Sequence, residues 1–175
     1  MKRIWTFTFA LLLVASMASA QHPDHGGPGG PNDGPEGHAI VGSDGTIYLE
    51  TVTVDTTTHT SSTKVTAVRP TGTIAWTATV ANAHGFELSG TNLITANSTT
   101  ASDGTVSTTL TALSTNSGAV AWTRTLAGRA DELRPFSGGT YVFVVVPPAS
   151  SGGTATRSLV AIGNDGSVLW TLSLT

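Results

Sequence analysis

Short runs of apolar residues alternate with turn residues along the chain after residue 38. Residues 47–54 alternate polar and apolar side chains imperfectly, as expected of a half-buried strand, whereas residues 141–146 are apolar or aromatic throughout and predict a strand buried on both faces. Pro147 and Pro148 end that run, because proline cannot donate a hydrogen bond to a strand ladder. Since no window shows a sustained 3.6-residue period flanked by caps, the pattern predicts an all-β protein.

Three Asp-Gly pairs mark tight turns between these runs. They are Asp44-Gly45, Asp103-Gly104 and Asp165-Gly166. Glycine favours such turns because it lacks the Cβ atom that clashes at positive φ. The composition agrees, since 31 threonines favour strands over helices.

An internal repeat is marked by three tryptophans that lie 46 and 48 residues apart, each at the end of the spacing Gly-x-x-x-Trp. The pairs are Gly72 and Trp76, Gly118 and Trp122, and Gly166 and Trp170. A predicted strand precedes each glycine and contains, in order, Ala67, Ala112 and Ala161. An earlier predicted strand aligns Tyr48, Leu93 and Tyr141. We expect repeats near residues 38–79, 80–125 and 126–174, and four strands in about 45 residues are typical of a β-propeller blade.

The Ala-to-Trp spacing resembles the tryptophan-docking repeat of the quinoprotein, or pyrroloquinoline-quinone-like (PQQ-like), β-propellers. That repeat typically reads Ala-Leu-Asp-x-x-Thr-Gly-x-x-x-Trp, and residues 67–76 are the copy most similar to it, with Thr71 before Gly72. The Asp of the family is missing from all three copies. The resemblance covers residues 38–174. It implies that each indole packs between neighbouring blades and donates its N–H to the adjacent blade, and it implies no particular activity.

We therefore expect residues 38–175 to form an all-β fold of about three antiparallel, four-stranded blades of the β-propeller type. Propellers usually close with about four to eight blades, and closure protects their sheet edges. Three explanations of the low count stay open. The sequence is a truncated part of a longer gene, or subunits associate to complete a ring, or the repeats form a twisted open stack.

The N-terminus has the features of a targeting segment. Lys2 and Arg3, the apolar run around residues 11–13 and the small residues at 18–20 predict a secretory signal peptide over residues 1–20. The alternative, a membrane anchor, would need a longer run to cross about 30 Å of hydrocarbon. Cleavage would leave 6 basic and 11 acidic side chains, a net charge of −5. We thus expect a secreted or periplasmic protein with no membrane span and no nucleic-acid partner.

Residues 21–37 are rich in Gly and Pro and carry no apolar side chain, so they predict a disordered leader. His22, His25 and His38 are the metal-ligand candidates of this region, since imidazole binds Cu(II), Ni(II) or Zn(II). Their irregular spacing and the lack of a rigid element favour a soluble tether over a metal site.

A charged cluster lies where the loops between the predicted blades are expected. It consists of His84, Glu87, Arg129, Asp131, Glu132 and Arg134. The dipeptides Glu87-Leu88 and Glu132-Leu133 align between repeats, which favours a shared contact between blades. The alternative is a binding face, because loops between rigid elements commonly carry function.

Motifs for catalysis are missing from the sequence: it has no Gly-x-Ser-x-Gly, His-Glu-x-x-His, phosphate loop or EF-hand, and no cysteine. These features favour an exported, non-catalytic β-propeller repeat protein that acts as a binding or scaffold module, with a protein partner or through self-association. No catalytic or cofactor-binding residue is assigned, and no cofactor is expected, PQQ included. Two alternatives stay open: a fragment of a quinone-dependent dehydrogenase-like propeller, and a metal-handling protein that acts through the leader.

Overall fold

The computed structural model of the chain describes residues 38–55, 57, 60–148 and 152–174. Within these ranges the chain forms twelve β-strands and no helix, so the expected all-β fold is confirmed. The predicted signal peptide and residues 21–37 of the predicted leader lie outside the described residues, as do His22 and His25.

The twelve strands form three antiparallel, four-stranded sheets, and within each sheet the strands follow chain order. Sheet 1 contains β1 (Ala39–Val41), β2 (Ile47–Asp55), β3 (Thr60–Val68) and β4 (Ile74–Ala81). Sheet 2 contains β5 (His84–Ser89), β6 (Asn92–Thr100), β7 (Val106–Ser114) and β8 (Val120–Ala127). Sheet 3 contains β9 (Arg129–Phe136), β10 (Gly139–Val146), β11 (Thr156–Gly163) and β12 (Val168–Leu174). Each sheet is therefore one blade-like unit.

The Asp-Gly pairs form the tight turns that the sequence predicts. In each turn the aspartate accepts a hydrogen bond from the backbone N–H two residues later, at 2.8–3.0 Å. The glycines follow at φ 79–85°, where a side chain would be strained. These turns join β1 to β2, β6 to β7 and β11 to β12, so they occupy different places in the three repeats.

The strand register fixes which residues of the three sheets are equivalent. Each tryptophan pairs with the alanine of the preceding strand, and a one-residue bulge follows that alanine in all three sheets. Opposite the three alanines on the other side lie Tyr48, Ile94 and Tyr141. The sequence alignment of Leu93 with the two tyrosines was therefore wrong by one residue, and Leu93 points to the opposite face of its sheet.

The core lies between the sheets. We call the side that carries the tryptophan of a sheet its tryptophan face and the other side its receiving face. One cluster joins Tyr48, Val65 and Trp76 of sheet 1 to Leu93 and Leu113 of sheet 2. A second cluster joins sheet 2 to sheet 3. It contains Ile94, Leu110, Ala112 and Trp122 on one side, and Leu133, Val142, Val160 and Ile162 on the other. The tryptophan faces of sheets 1 and 2 thus pack on the receiving faces of sheets 2 and 3.

Candidate functional site

The predicted docking residues meet across the sheet interfaces. The Trp76 indole Nε1–H donates to the backbone carbonyl of Thr115 at 2.7 Å, and the Trp122 Nε1–H donates to that of Asn164 at 2.8 Å. Both acceptors lie in the turn between the third and fourth strands of the next sheet. Each indole thereby combines apolar packing with a hydrogen bond for its polar N–H.

The glycines of the second and third Gly-x-x-x-Trp pairs, Gly118 and Gly166, receive the tryptophan of the preceding sheet. A Cβ atom added at Gly118 would lie 2.5 Å from Cε3 of Trp76, and one at Gly166 would lie 2.7 Å from Cδ2 of Trp122. The ring therefore occupies the space that any side chain at these glycines would need. Sequence reasoning assigned this glycine a tight turn and close backbone approach, and the structure adds that the approaching group is the tryptophan of the preceding sheet.

Buried threonine hydroxyls hold the connections between the sheets. Thr63 donates to the Ala83 carbonyl at 3.0 Å, and Thr108 donates to the Gly128 carbonyl at 2.8 Å. The Thr108 oxygen also accepts the Ala130 N–H at 2.9 Å. Thr63 and Thr108 are fully buried and hold equivalent positions in β3 and β7. Sequence reasoning missed them because threonine is common throughout the chain.

The charged cluster lies on two strands, not on the loops that the sequence predicts. His84 and Glu87 are in β5, and Arg129, Asp131, Glu132 and Arg134 are in β9. Charged residues disfavour strands intrinsically, but pairing with β6 and β10 overrides that preference here. Because β5 and β9 lie against each other, the structure brings the charges of two repeats together. We call Glu87, Arg129, Asp131, Glu132 and Arg134 the charged strip.

Neighbouring charges of opposite sign pair within the charged strip. Arg129 Nε lies 2.8 Å from Asp131 Oδ1, and Arg134 pairs with Glu132. All four side chains are 41–62% exposed, so the pairs contribute little to stability and remain accessible to a partner. The strip holds three carboxylates and two guanidinium groups, which gives donors and acceptors for polar recognition.

Glu87 and Arg134 occupy equivalent positions in adjacent sheets. Glu87 pairs with Ile94 and Arg134 pairs with Tyr141, and those partners are themselves equivalent. The sequence alignment of Glu87 with Glu132 was therefore wrong by two residues. Glu132 instead lies two residue pairs away from Arg134 along β9, opposite Phe143.

Burial raises the pKa of the Glu87 carboxyl; the Arg134 guanidinium lowers it in part, and the Glu132 carboxylate adds to the rise. The folded state then binds this proton more tightly than the unfolded state, whose pKa is near 4.5. The contribution of Glu87 to the free energy of unfolding therefore falls as the pH rises from 4.5 through its raised pKa.

Glu87→Gln is expected to reduce this loss of stability between pH 4.5 and neutrality. Urea unfolding followed by circular dichroism at several pH values measures it, with Asp103→Asn as the control. Hydrogen bonds from Thr105 lower the pKa of Asp103. The stabilisation from Asp103 is complete above its unfolded pKa of 3.8 and is lost as the pH falls through its lower folded value. An unchanged pH profile in Glu87→Gln would contradict the assignment.

Of the histidine candidates for metal binding, His38 lies in the described part of the chain. It is exposed, and its backbone carbonyl accepts the Glu50 N–H at 2.8 Å. Among the described residues, no group of three His, Cys, Asp or Glu side chains has the arrangement of a metal site. The same ranges contain no helix of the length and apolarity that crossing a bilayer requires.

Comparison with known proteins gives no family for the chain: no protein-family model matches it, and no curated protein matches it.

Proposed function

We propose that the chain is an exported, non-catalytic repeat protein of the quinoprotein-like β-propeller type that binds a partner protein through the charged strip. The observation that carries this proposal is that two groups of polar side chains have different partners. The indoles and the buried hydroxyls bond to backbone groups and join the sheets. The charged side chains of β9 instead pair with one another at the surface, and Glu87 of β5 lies in the electrostatic field of two of them, Arg134 and Glu132.

The state of the hydroxyl groups supports a non-catalytic role. A serine or threonine becomes a nucleophile when an adjacent base takes its proton. Thr63, Ser89 and Thr108 instead donate to backbone carbonyls of Ala83, Gly139 and Gly128, at 2.6–3.0 Å. These hydroxyl protons stabilise the fold, because each hydrogen bond joins a sheet to the connection after it or to the next sheet.

The charge pattern of the strip supports a polar protein surface as the partner. Arginines and carboxylates in exposed pairs can pair instead with opposite charges of a second protein. Such pairing makes binding specific and sets the orientation of the bound protein. A phosphate backbone would meet three carboxylates beside two guanidinium groups, an unfavourable balance. The proposed partner therefore carries both signs of charge in a complementary order.

Neutralising the strip tests the proposal. The variant Glu87→Gln/Asp131→Asn/Glu132→Gln is compared with Asp44→Asn/Asp103→Asn/Asp165→Asn, which removes the same three charges from the Asp-Gly turns. Immobilised wild-type protein and both variants are exposed to the exported proteins of the host, and bound species are quantified. We expect the strip variant to bind its partner about tenfold more weakly or worse, while the turn variant binds like wild type.

Two outcomes would contradict the proposal. Equal loss in both variants would indicate a general charge effect, with no role for the strip as a contact surface. Oxidation of a primary alcohol after addition of pyrroloquinoline quinone and calcium would support the dehydrogenase alternative instead.

A further inference from the structure

The two sheet interfaces of the chain repeat one set of contacts. A tryptophan lies on the glycine of the next sheet and donates its N–H to a carbonyl two or three residues before that glycine. On the same strand as the tryptophan, two further residues of the tryptophan face follow it at spacings of two and four. These are Ala78 and Val80 after Trp76, and Arg124 and Leu126 after Trp122. The two interfaces are thus made by residues at equivalent positions of the sheets.

Sheet 3 presents this tryptophan face to solvent. Trp170 is 44% exposed, whereas the equivalent Trp76 is 9% exposed. Leu172 and Leu174 follow at the same two spacings and are 53% and 38% exposed. Two open cavities of about 310 and 680 Å³ adjoin this face, and both are lined in part by Arg157 and Leu174. Sheet 3 therefore carries the tryptophan half of the interface without a sheet packed on it in the described part of the chain.

Sheet 1 presents the receiving half. Ile47 and Leu49 are 36% and 39% exposed, whereas the residues at the equivalent positions of sheet 2, Leu93 and Thr95, are 0% and 1% exposed. Gly72 has φ 80°, like Gly118 at 70° and Gly166 at 80°. Among the described residues, no atom lies within 4 Å of a Cβ added at Gly72. The space that a tryptophan fills at the other two glycines is therefore open here.

The carbonyl that would accept the indole N–H is also in place. The turn hydrogen bonds make Arg69, Ser114 and Gly163 equivalent. The next residues in the chain are Pro70, Thr115 and Asn164, and the last two supply the acceptors for Trp76 and Trp122. Pro70 is exposed and keeps its carbonyl although it has no N–H.

We propose that a second copy of this chain docks its tryptophan face of sheet 3 on the receiving face of sheet 1, with Trp170 over Gly72 and its N–H on the Pro70 carbonyl. A second copy is the favoured occupant because every copy carries both halves of an interface that the chain already makes twice. Two copies joined head to tail at both ends hold six sheets, within the range of about four to eight at which propellers close. Arg134 and Glu132 of the charged strip lie in the same rows of sheet 3 as Trp170 and Leu172, so the docked copy and the proposed partner share this face. The inference itself rests on none of the charges of the strip.

The mass of the protein expressed from its full sequence, measured by light scattering after size exclusion, tests the inference. Wild type is expected at twice the monomer mass, with dissociation on dilution. Trp170→Ala removes the ring, and Gly72→Asn fills the space that the ring needs. Asparagine tolerates positive φ, so the turn survives. Each variant is expected to elute as a monomer where wild type is a dimer.

Gly104→Asn is the matched control. Gly104 has φ 85°, and no described atom lies within 4 Å of an added Cβ. Its turn makes the same pair of backbone hydrogen bonds as that of Gly72, at 2.8 and 2.9 Å, but it faces no docking site. This variant is expected to remain dimeric, which separates a block of docking from damage to a turn.

Mixing the two docking variants tests the head-to-tail arrangement. The Gly72→Asn copy supplies an intact Trp170, and the Trp170→Ala copy supplies an intact Gly72, so one interface of the pair is complete. We expect the mixture to form a dimer that neither variant forms alone. A wild-type protein that stays monomeric up to its solubility limit would overturn the inference and assign these faces to a different protein or a further repeat. A dimer that survives both substitutions would overturn it as well.

Discussion

Replacement of Trp76 by alanine is expected to lower the free energy of unfolding by about 3–5 kcal/mol, the usual range for a buried tryptophan. Trp76 is 9% exposed and packs in the cluster that joins sheet 1 to sheet 2. The substitution empties the space over Gly118 and leaves the Thr115 carbonyl without its indole donor. Because domains are stable by only about 5–15 kcal/mol, this loss would be a large fraction of the total.

Trp170→Ala is the control for this prediction. The two tryptophans hold the same position in their sheets, opposite an alanine and close to a tyrosine ring. Trp170 is 44% exposed, so its removal from the monomer is expected to cost only about 1 kcal/mol. Urea unfolding followed by far-ultraviolet circular dichroism, at a dilution where wild type is monomeric, compares them. Equal losses would show that the tryptophans act within their own sheets and do not dock on the next one.

Gly118→Ala is expected to destabilise the protein by about 2–5 kcal/mol. The new Cβ would lie 2.5 Å from Cε3 and 2.8 Å from Cδ2 of Trp76, well inside van der Waals contact, and overpacking of this kind costs about 1–3 kcal/mol. The residue also has φ 70°, which adds about 1–2 kcal/mol for any residue with a Cβ. Thermal and urea unfolding would both show the loss.

Gly104→Ala and a double-mutant cycle separate these two effects. Gly104 shares the positive φ, and among the described residues nothing lies within 4 Å of its added Cβ. Its substitution is therefore expected to cost only the backbone part, about 1–2 kcal/mol. In a Trp76→Ala background, Gly118→Ala should cost no more than Gly104→Ala, because the clash is gone. Additive losses in the cycle would contradict the contact between Trp76 and Gly118.

The sequence was sufficient to predict the all-β fold and its three four-stranded units, and the contacts of Trp76 and Trp122 agree with the docking spacing. Each of these predictions depends on spacings of a few residues within one turn or strand, which do not change when a loop elsewhere is longer or shorter. Gly-x-x-x-Trp spans a single turn and strand, so its geometry is set locally. The Asp-Gly turns were predictable for the same reason, since the aspartate bonds to an N–H two residues away.

The register and the position of the charged strip were not predictable from spacing. Leu93 and Ile94 are both apolar, so their order along the chain does not reveal which one faces Ala112. The register assigns Ile94 to that position. Arg129 and Arg134 lie in a segment whose composition favours a loop, and pairing of β9 with β10 in a hairpin makes it a strand. Both features depend on how neighbouring strands pair, which the composition of a single segment does not reveal.

Because sheet 2 is covered on both of its faces, the three sheets are expected to differ in how easily they unfold. Sheets 1 and 3 each pack on one neighbour in the described part of the chain, whereas sheet 2 packs on both. In such a linear array the stability is close to a sum of unit and nearest-neighbour terms. An outer sheet can open by breaking one interface, but the middle sheet cannot open without breaking two. In the monomer, partial unfolding should therefore begin in sheets 1 and 3 and reach sheet 2 last, so that the outer sheets open before the whole chain unfolds.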